Sequence, residues 1–332
     1  MKVNCYQKNN LNFIDVSNDL DLRVIFCDLG ASIFNIIFNN ESMVRNVKSL
    51  KDFYRPDCYY GKTIGRTSGR LRGDVITIND KTYKLEGNGR GNVLHGGKAG
   101  FSNQRFAFRV EYFINHTDVV FNYLSKDLEG GYPGNVKVEV RYAVHKEQNQ
   151  IDVFYSAISD QDTLLCLTNH SYFTLGDKDL SNLELKIASH TYLVNGEKDM
   201  LPKGKEKVNI ILDFTEYKKI IRDIEDPSLK GPAINGYDNQ YFFDELNVDK
   251  VGVSLRNNKY QLDIKSNYEG LVIYTSNYKP NFVLNNSLQM RDSIAIEPSD
   301  SLLDKHLLLK DHLYSRKISY IFKTLWAVKL NF

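Results

Sequence analysis

Two short stretches carry side chains able to move protons near neutral pH. In "TNHSYF" (168–173), His170 sits among Thr168, Asn169, Ser171 and Tyr172, after the apolar run 164–167, which reads as a core strand. On these grounds alone it fits either a core histidine with a satisfied hydrogen bond or a proton-transfer group. In "SIAIEPSDS" (293–301), Glu297 ends the apolar segment 294–296, and Pro298 is expected to stop that strand. A carboxyl flanked by Ile296 and Pro298 is expected to be partly buried. Partial burial raises its pKa and makes it a better base near neutral pH. The competing role for Glu297 is one half of a buried ion pair.

Three further stretches could hold a small polar ligand. In "NVLHGGKAGF" (92–101), His95 precedes Gly96, Gly97 and Gly100. Those glycines make a flexible turn, or let backbone approach a ligand beside His95. A phosphate loop is excluded, because Walker A needs G-x4-G-K-[ST] and Lys98 is followed by Ala99. "IGRTSGRLRGD" (64–74) brings Arg66, Arg70 and Arg72 together. In a strand their even spacing puts them on one face, ordinarily a solvated one, although an arginine in a cleft can hold neighbouring hydroxyls. "NGYDNQYFF" (235–243) sets Asp238 after Gly236, where it serves a turn or a ligand equally well. The remaining histidines show no zinc spacing, and no G-x-S-x-G elbow surrounds Ser171.

The elements that must position these groups are strands. "NVKVEVRYAV" (135–144) puts Val136, Val138, Val140, Tyr142 and Val144 on one face, and a hairpin to "QIDVFYSAI" (150–158) follows through "KEQN". Segments 105–113, 117–124, 259–266, 270–277 and 317–324 alternate in the same way. Only 49–55 and 214–221 have helical spacing. Long helices do not alternate with the strands, which excludes a doubly wound sheet. The pattern is all-β, a large antiparallel β-sandwich with a few short helices, read as a single domain over 1–332.

Composition narrows the function classes. The net charge is +2, which asks for neither nucleic acid nor an anionic membrane. No apolar run approaches the roughly 18 residues of a membrane span, and the N-terminus has no secretory core. Cys5, Cys27, Cys58 and Cys166 are scattered, as in reduced, cytoplasmic proteins. A monomer and a homodimer both remain open.

Taken in order, "GRTSGRL" (65–71), "NVLHGG" (92–97), "GYPG" (131–134), "TNHSYFTL" (168–175), "GYDNQYF" (236–242), "YTSNY" (274–278) and "IEP" (296–298) resemble the motifs of the aldose 1-epimerase (galactose mutarotase) family. The resemblance implies a large antiparallel β-sandwich and interconversion of the α and β anomers of a free aldose such as galactose or glucose, without cofactor or metal. It implies Glu297 as general base, His170 as general acid and His95 as the second histidine of the site. Asp238 and Arg70 would hold sugar hydroxyls. Tyr278 would form one wall, where the family often has Phe, and Asn169 would sit against the sugar.

Two departures stand out. Gly69 occupies a position where the family usually has Asn, and "PSDS" follows Glu297 where Gln and then Pro-Asp are usual. The chemistry implied is ring opening of a hemiacetal, in which O1 loses a proton and O5 gains one. This predicts a carboxylate–imidazolium pair at rest, titrating as a unit. A non-catalytic sugar binder, a glycoside hydrolase using Glu297 with Asp238, and a mutarotase for a phosphorylated hexose held by Arg66 and Arg72 are the alternatives.

Overall fold

The computed structural model describes residues 1–332 apart from 89–90, 197, 199, 286–289, 303–305 and 326–332. Its strands form three main sheets. A five-stranded N-terminal meander runs from Lys2–Lys8 to Glu41–Ser42. A nine-stranded sheet begins with Ala107–Tyr112, His116–Ser125, Val136–His145 and Gln150–Ser159, continues through Tyr314–Thr324, Tyr260–Ser266, Val253–Arg256 and Glu184–Ile187, and closes on Lys218–Lys219. A seven-stranded sheet is ordered Pro202–Lys207, Thr191–Asn195, Asp238–Phe242, Gly270–Tyr274, Ile294–Ser299, Tyr172–Phe173 and Val44–Arg45. Neighbouring strands in the three sheets pair antiparallel, as the short turns between alternating segments require.

Alternation decides which face is core. Val136, Val138, Val140, Tyr142 and Val144 are all buried, whereas Lys137 is exposed and Glu139 and Arg141 are partly so. Each such buried side chain contributes roughly 1.5–3 kcal/mol. The hairpin at 146–149 joins Val136–His145 to Gln150–Ser159 with Val144 opposite Ile151. In the seven-stranded sheet, Tyr241, Leu271, Ile273, Ile296 and Phe173 face this same core. The opposite face of those strands is therefore free to build a site.

The structure corrects four local readings. The helix in 49–55 is one turn, Leu50–Phe53, with the Ser49 hydroxyl accepting from the Lys51 N–H at 3.3 Å. The stretch 214–221 is not a helix. Phe214 enters the core, Lys218–Lys219 pairs with the sheet edge, and a 3₁₀ turn follows at Ile220–Arg222. Edge pairing overrides local propensity there. Pro298 does not stop its strand, which runs Ile294–Ser299. Along Ile294–Ser299 the neighbouring strand Tyr172–Phe173 reaches only Ala295 and Ile294, so at Pro298 no ladder donor is required on that side. Residues 164–167 are not one strand either. They link a ladder at Thr163–Leu164 to one at Thr168–Asn169, pinned at Leu167 by the hydroxyls of Tyr314 and Tyr268.

Candidate active site

Cross-strand neighbours share a face, so the free side of the seven-stranded sheet presents its residues in rows. Gln240, Val272 and Glu297 stand opposite one another on three adjacent strands. Two residues along, Asp238, Tyr274, Ala295 and Tyr172 form the next row. These rows floor a pocket of about 350 Å³, within the range of small-ligand sites. Its opposite wall comes from loops carrying Tyr59, His95 and His170 and from Arg70 on the short strand Arg70–Leu71.

His170 is clamped by backbone. Its N–H donates to Lys62 O at 3.0 Å, and its carbonyl accepts from the Gly61 N–H at 2.9 Å. Thr168 ties the same segment to the floor, its hydroxyl donating to Pro298 O at 2.7 Å. The result is direct contact: His170 Nε2 lies 3.3 Å from Glu297 Oε1, with 4% and 5% of the two side chains exposed. Tyr172 and Tyr59 stack on the His170 ring at centroid distances of 4.9 and 5.7 Å.

His95 closes this cluster edge-on, 5.2 Å from the His170 ring. It sits at φ 52°, a sparsely populated region for a side-chain-bearing residue. The two glycines after it permit the turn. A Cβ on Gly96 would stand 2.0 Å from Gly65 O, and one on Gly97 2.2 Å from Glu86 O. The Gly69 N–H donates to His95 Nδ1 at 3.3 Å, which leaves the ring proton of neutral His95 on Nε2.

Burial opposes charge throughout. It brings the His170 pKa from 6.5 down to about 3. It holds His95 well below its ordinary value, with His170 and Arg70 adding to the shift. Glu297 is pushed well above the usual carboxyl range by burial, then by Asp238 and Cys166. Burial thus works against the expected ion pair and favours the neutral form of each group. Asp238 is also raised by burial, against the pull of Arg70, whose Nη1 is 3.9 Å from Asp238 Oδ2.

A family model for aldose 1-epimerases matches residues 13–320. The chain belongs to the aldose 1-epimerase family. An aldose 1-epimerase from Haemophilus influenzae is 27% identical over 80% of this chain and 78% of its own length. A rat galactose mutarotase is 29% identical over 71% and 68%. The crystal structure of a galactose 1-epimerase from Lactobacillus acidophilus superposes with a TM-score of 0.87 at 26% identity, covering 97% of this chain and 99% of that one. An aldose epimerase homologue from C. elegans, 21% identical, shares the fold with a TM-score of 0.83 over 95% and 99%. The chain is thus an enzyme of an isomerase family on the galactose mutarotase-like β-fold.

Within this aldose 1-epimerase family member, Glu297, His170, His95, Arg70, Asp238 and Tyr278 all line the one pocket. Tyr278 is a rim residue, 51% exposed. Asn169 does not reach the pocket. Fully buried, it donates to Gly61 O at 2.9 Å and accepts from the Ser171 N–H and hydroxyl, so it shapes the loop that carries His170. The three arginines do not share a face. Arg66 is buried and donates to the carbonyls of Ser125, Lys126, Pro133 and Gly134, whereas Arg72 is exposed. Neither lines the pocket, which removes the arginines that suggested a phosphorylated substrate.

Sequence reasoning missed Tyr59 and Gln240. Gln240 was within reach, because it lies two residues after Asp238 on one strand and so shares its face. Tyr59, in a loop, carries no such signal. In "PSDS", Ser299 lines the pocket, while Asp300 turns away to pair with Arg316 at 2.9 Å.

Proposed function

We propose that the chain is a mutarotase for free aldoses such as galactose and glucose, with Glu297 as base and His170 as acid. The observation that carries this reading is the buried Nε2–Oε1 contact of 3.3 Å in a pocket of sugar size. An entering pyranose separates the two groups and places O1 toward Glu297 and O5 toward His170. The proton shared by the pair moves to His170. Glu297 then takes the proton of O1 as His170 gives one to O5, and the C1–O5 bond breaks. After rotation about C1–C2 the same two transfers run backward, which restores the carboxylate of Glu297 and the imidazolium of His170, and the proton is shared between them again as the sugar leaves.

Burial helps both transfers. An imidazolium with a depressed pKa gives up its proton readily, and a carboxylate with a raised pKa takes one readily. His95 stays neutral and offers Nε2–H to the oxygen on which charge develops. Arg70 and Asp238 hold hydroxyls on the remote carbons, and Tyr278 covers an apolar sugar face. A glycoside hydrolase would work with two carboxyls across the bond and would leave His170 without a task. Polarimetry paired with a chromogenic glycoside tests the reading. Faster rotation change without glycoside cleavage is expected. Cleavage, or exchange only at the buffer rate, overturns it.

A further inference from the structure

Behind the pocket wall lies a group of side chains that ring opening does not use. One ligating atom each from Cys166, Asp300 and His306 lies within 4.8 Å of the other two. Three separate segments bring them together. Cys166 is fixed by its N–H donating to Arg66 O at 2.7 Å and its carbonyl accepting from the Ser68 N–H at 2.9 Å. Asp300 follows the end of the strand Ile294–Ser299, its backbone carbonyl held by Gln240 Nε2 at 2.7 Å. His306 precedes the short strand Leu307–Leu308, and its carbonyl accepts from the Leu165 N–H at 2.8 Å.

We infer that Cys166, Asp300 and His306 form a site for one thiophilic divalent cation of the Zn²⁺ class. A thiolate, an imidazole and a carboxylate are a donor set that suits zinc, with a fourth position left for water. Zinc bonds of about 2.0–2.3 Å put ligand atoms roughly 3.3–3.8 Å apart in a tetrahedron, so closure asks for a movement of about 1 Å. His306, the partly exposed member, can make that movement and gives an ion its way in. Cys166 is fully buried, which bars an organic electrophile from the thiol. Arg316 Nε, 2.9 Å from Asp300 Oδ2 and 3.1 Å from Oδ1, orients the carboxylate from behind, as outer-sphere partners of metal ligands do. The Ser68 hydroxyl, 3.0 Å from Cys166 Sγ, is a further polar neighbour of the sulfur. Coordination releases the thiol proton to solvent, with no redox change.

The test is titration of the full chain with Co²⁺, followed by Zn²⁺ competition. A thiolate-to-cobalt charge-transfer band saturating at one ion per chain is expected, and Zn²⁺ should remove it. Cys166→Ser should abolish the band. His306→Ala, at a half-buried position, should weaken binding by more than the roughly 10–100-fold that loss of an outer-sphere partner costs. Absence of the band overturns the site. So does a band that survives Cys166→Ser and disappears with Cys5→Ser, the exposed thiol.

Discussion

His170 Nε2 and Glu297 Oε1 stand 3.3 Å apart, and burial drives both groups toward their neutral forms. In the proposed mechanism one proton serves the pair. That arrangement has a consequence for pH. The pair loses its working proton count only when a second proton is added or the shared one is removed.

The rate should therefore ignore the ordinary histidine pKa. Adding a proton to His170 requires pH near its depressed value of about 3 rather than 6.5. The expected profile of kcat/KM has no acid limb at pH 6.5, and its alkaline limit is set by the raised carboxyl of Glu297. An acid limb centred near 6.5 in the free-enzyme profile counts against the depressed imidazole.

Glu297 should cost the fold stability. Its folded pKa lies above the ordinary value of 4.5, so its favourable contribution is complete below 4.5 and is lost as pH rises toward the folded value. Glu297→Gln removes that loss. Its melting temperature should exceed that of the parent at pH 8, by roughly 2–4 °C for each kcal/mol recovered, and the gain should shrink toward pH 5. Calorimetry at the two pH values checks this, and an equal or lower Tm at pH 8 contradicts the assignment of a strained, buried carboxyl.

Arg70 and Asp238 should act on binding more than on chemistry. Asp238→Ala removes a half-buried carboxyl that is raised by desolvation and faces Arg70. Charged hydrogen bonds are worth about 1.5–3 kcal/mol, so KM should rise about 10–100-fold with a smaller change in kcat. Steady-state kinetics over a wide sugar range separate the two parameters. A change confined to kcat would move Asp238 into the proton-transfer group.

Arg66 should matter for folding rather than for sugar. Arg66→Met removes the guanidinium donor from the carbonyls of Ser125, Lys126, Pro133 and Gly134, of which Lys126 O keeps the Glu129 N–H at 3.0 Å. At about 1–3 kcal/mol for each unsatisfied group the loss amounts to several kcal/mol. Chemical denaturation is expected to show a lower midpoint. An unchanged midpoint together with a raised KM for sugar would return Arg66 to the site.

Much of this was legible because period-2 alternation is local. Val136 to Val144 read as a half-buried strand and is one, and Glu297 read as a carboxyl made basic by burial and is buried. What failed depended on distant partners. Arg66 and Arg72 share spacing but not surroundings, since four carbonyls from 125–134 capture only the first. Asn169 sits beside the acid in sequence, yet its amide is consumed by Gly61 and Ser171. Pro298 stays in a strand because no partner needs its missing N–H. The desolvation of the His170–Glu297 pair was not legible, because attraction between opposite charges is visible in a sequence, whereas burial of both partners is not.

The most direct test of the account is polarimetry of α-galactose and α-glucose with the parent chain, Glu297→Gln and His170→Asn. The parent should speed the rotation change above the buffer rate. Each variant should lose about 10²–10⁴-fold of that excess, and the double variant should lose little more, because the two groups act as one unit. Full excess rate in Glu297→Gln, with the fold intact by circular dichroism, would contradict the central claim.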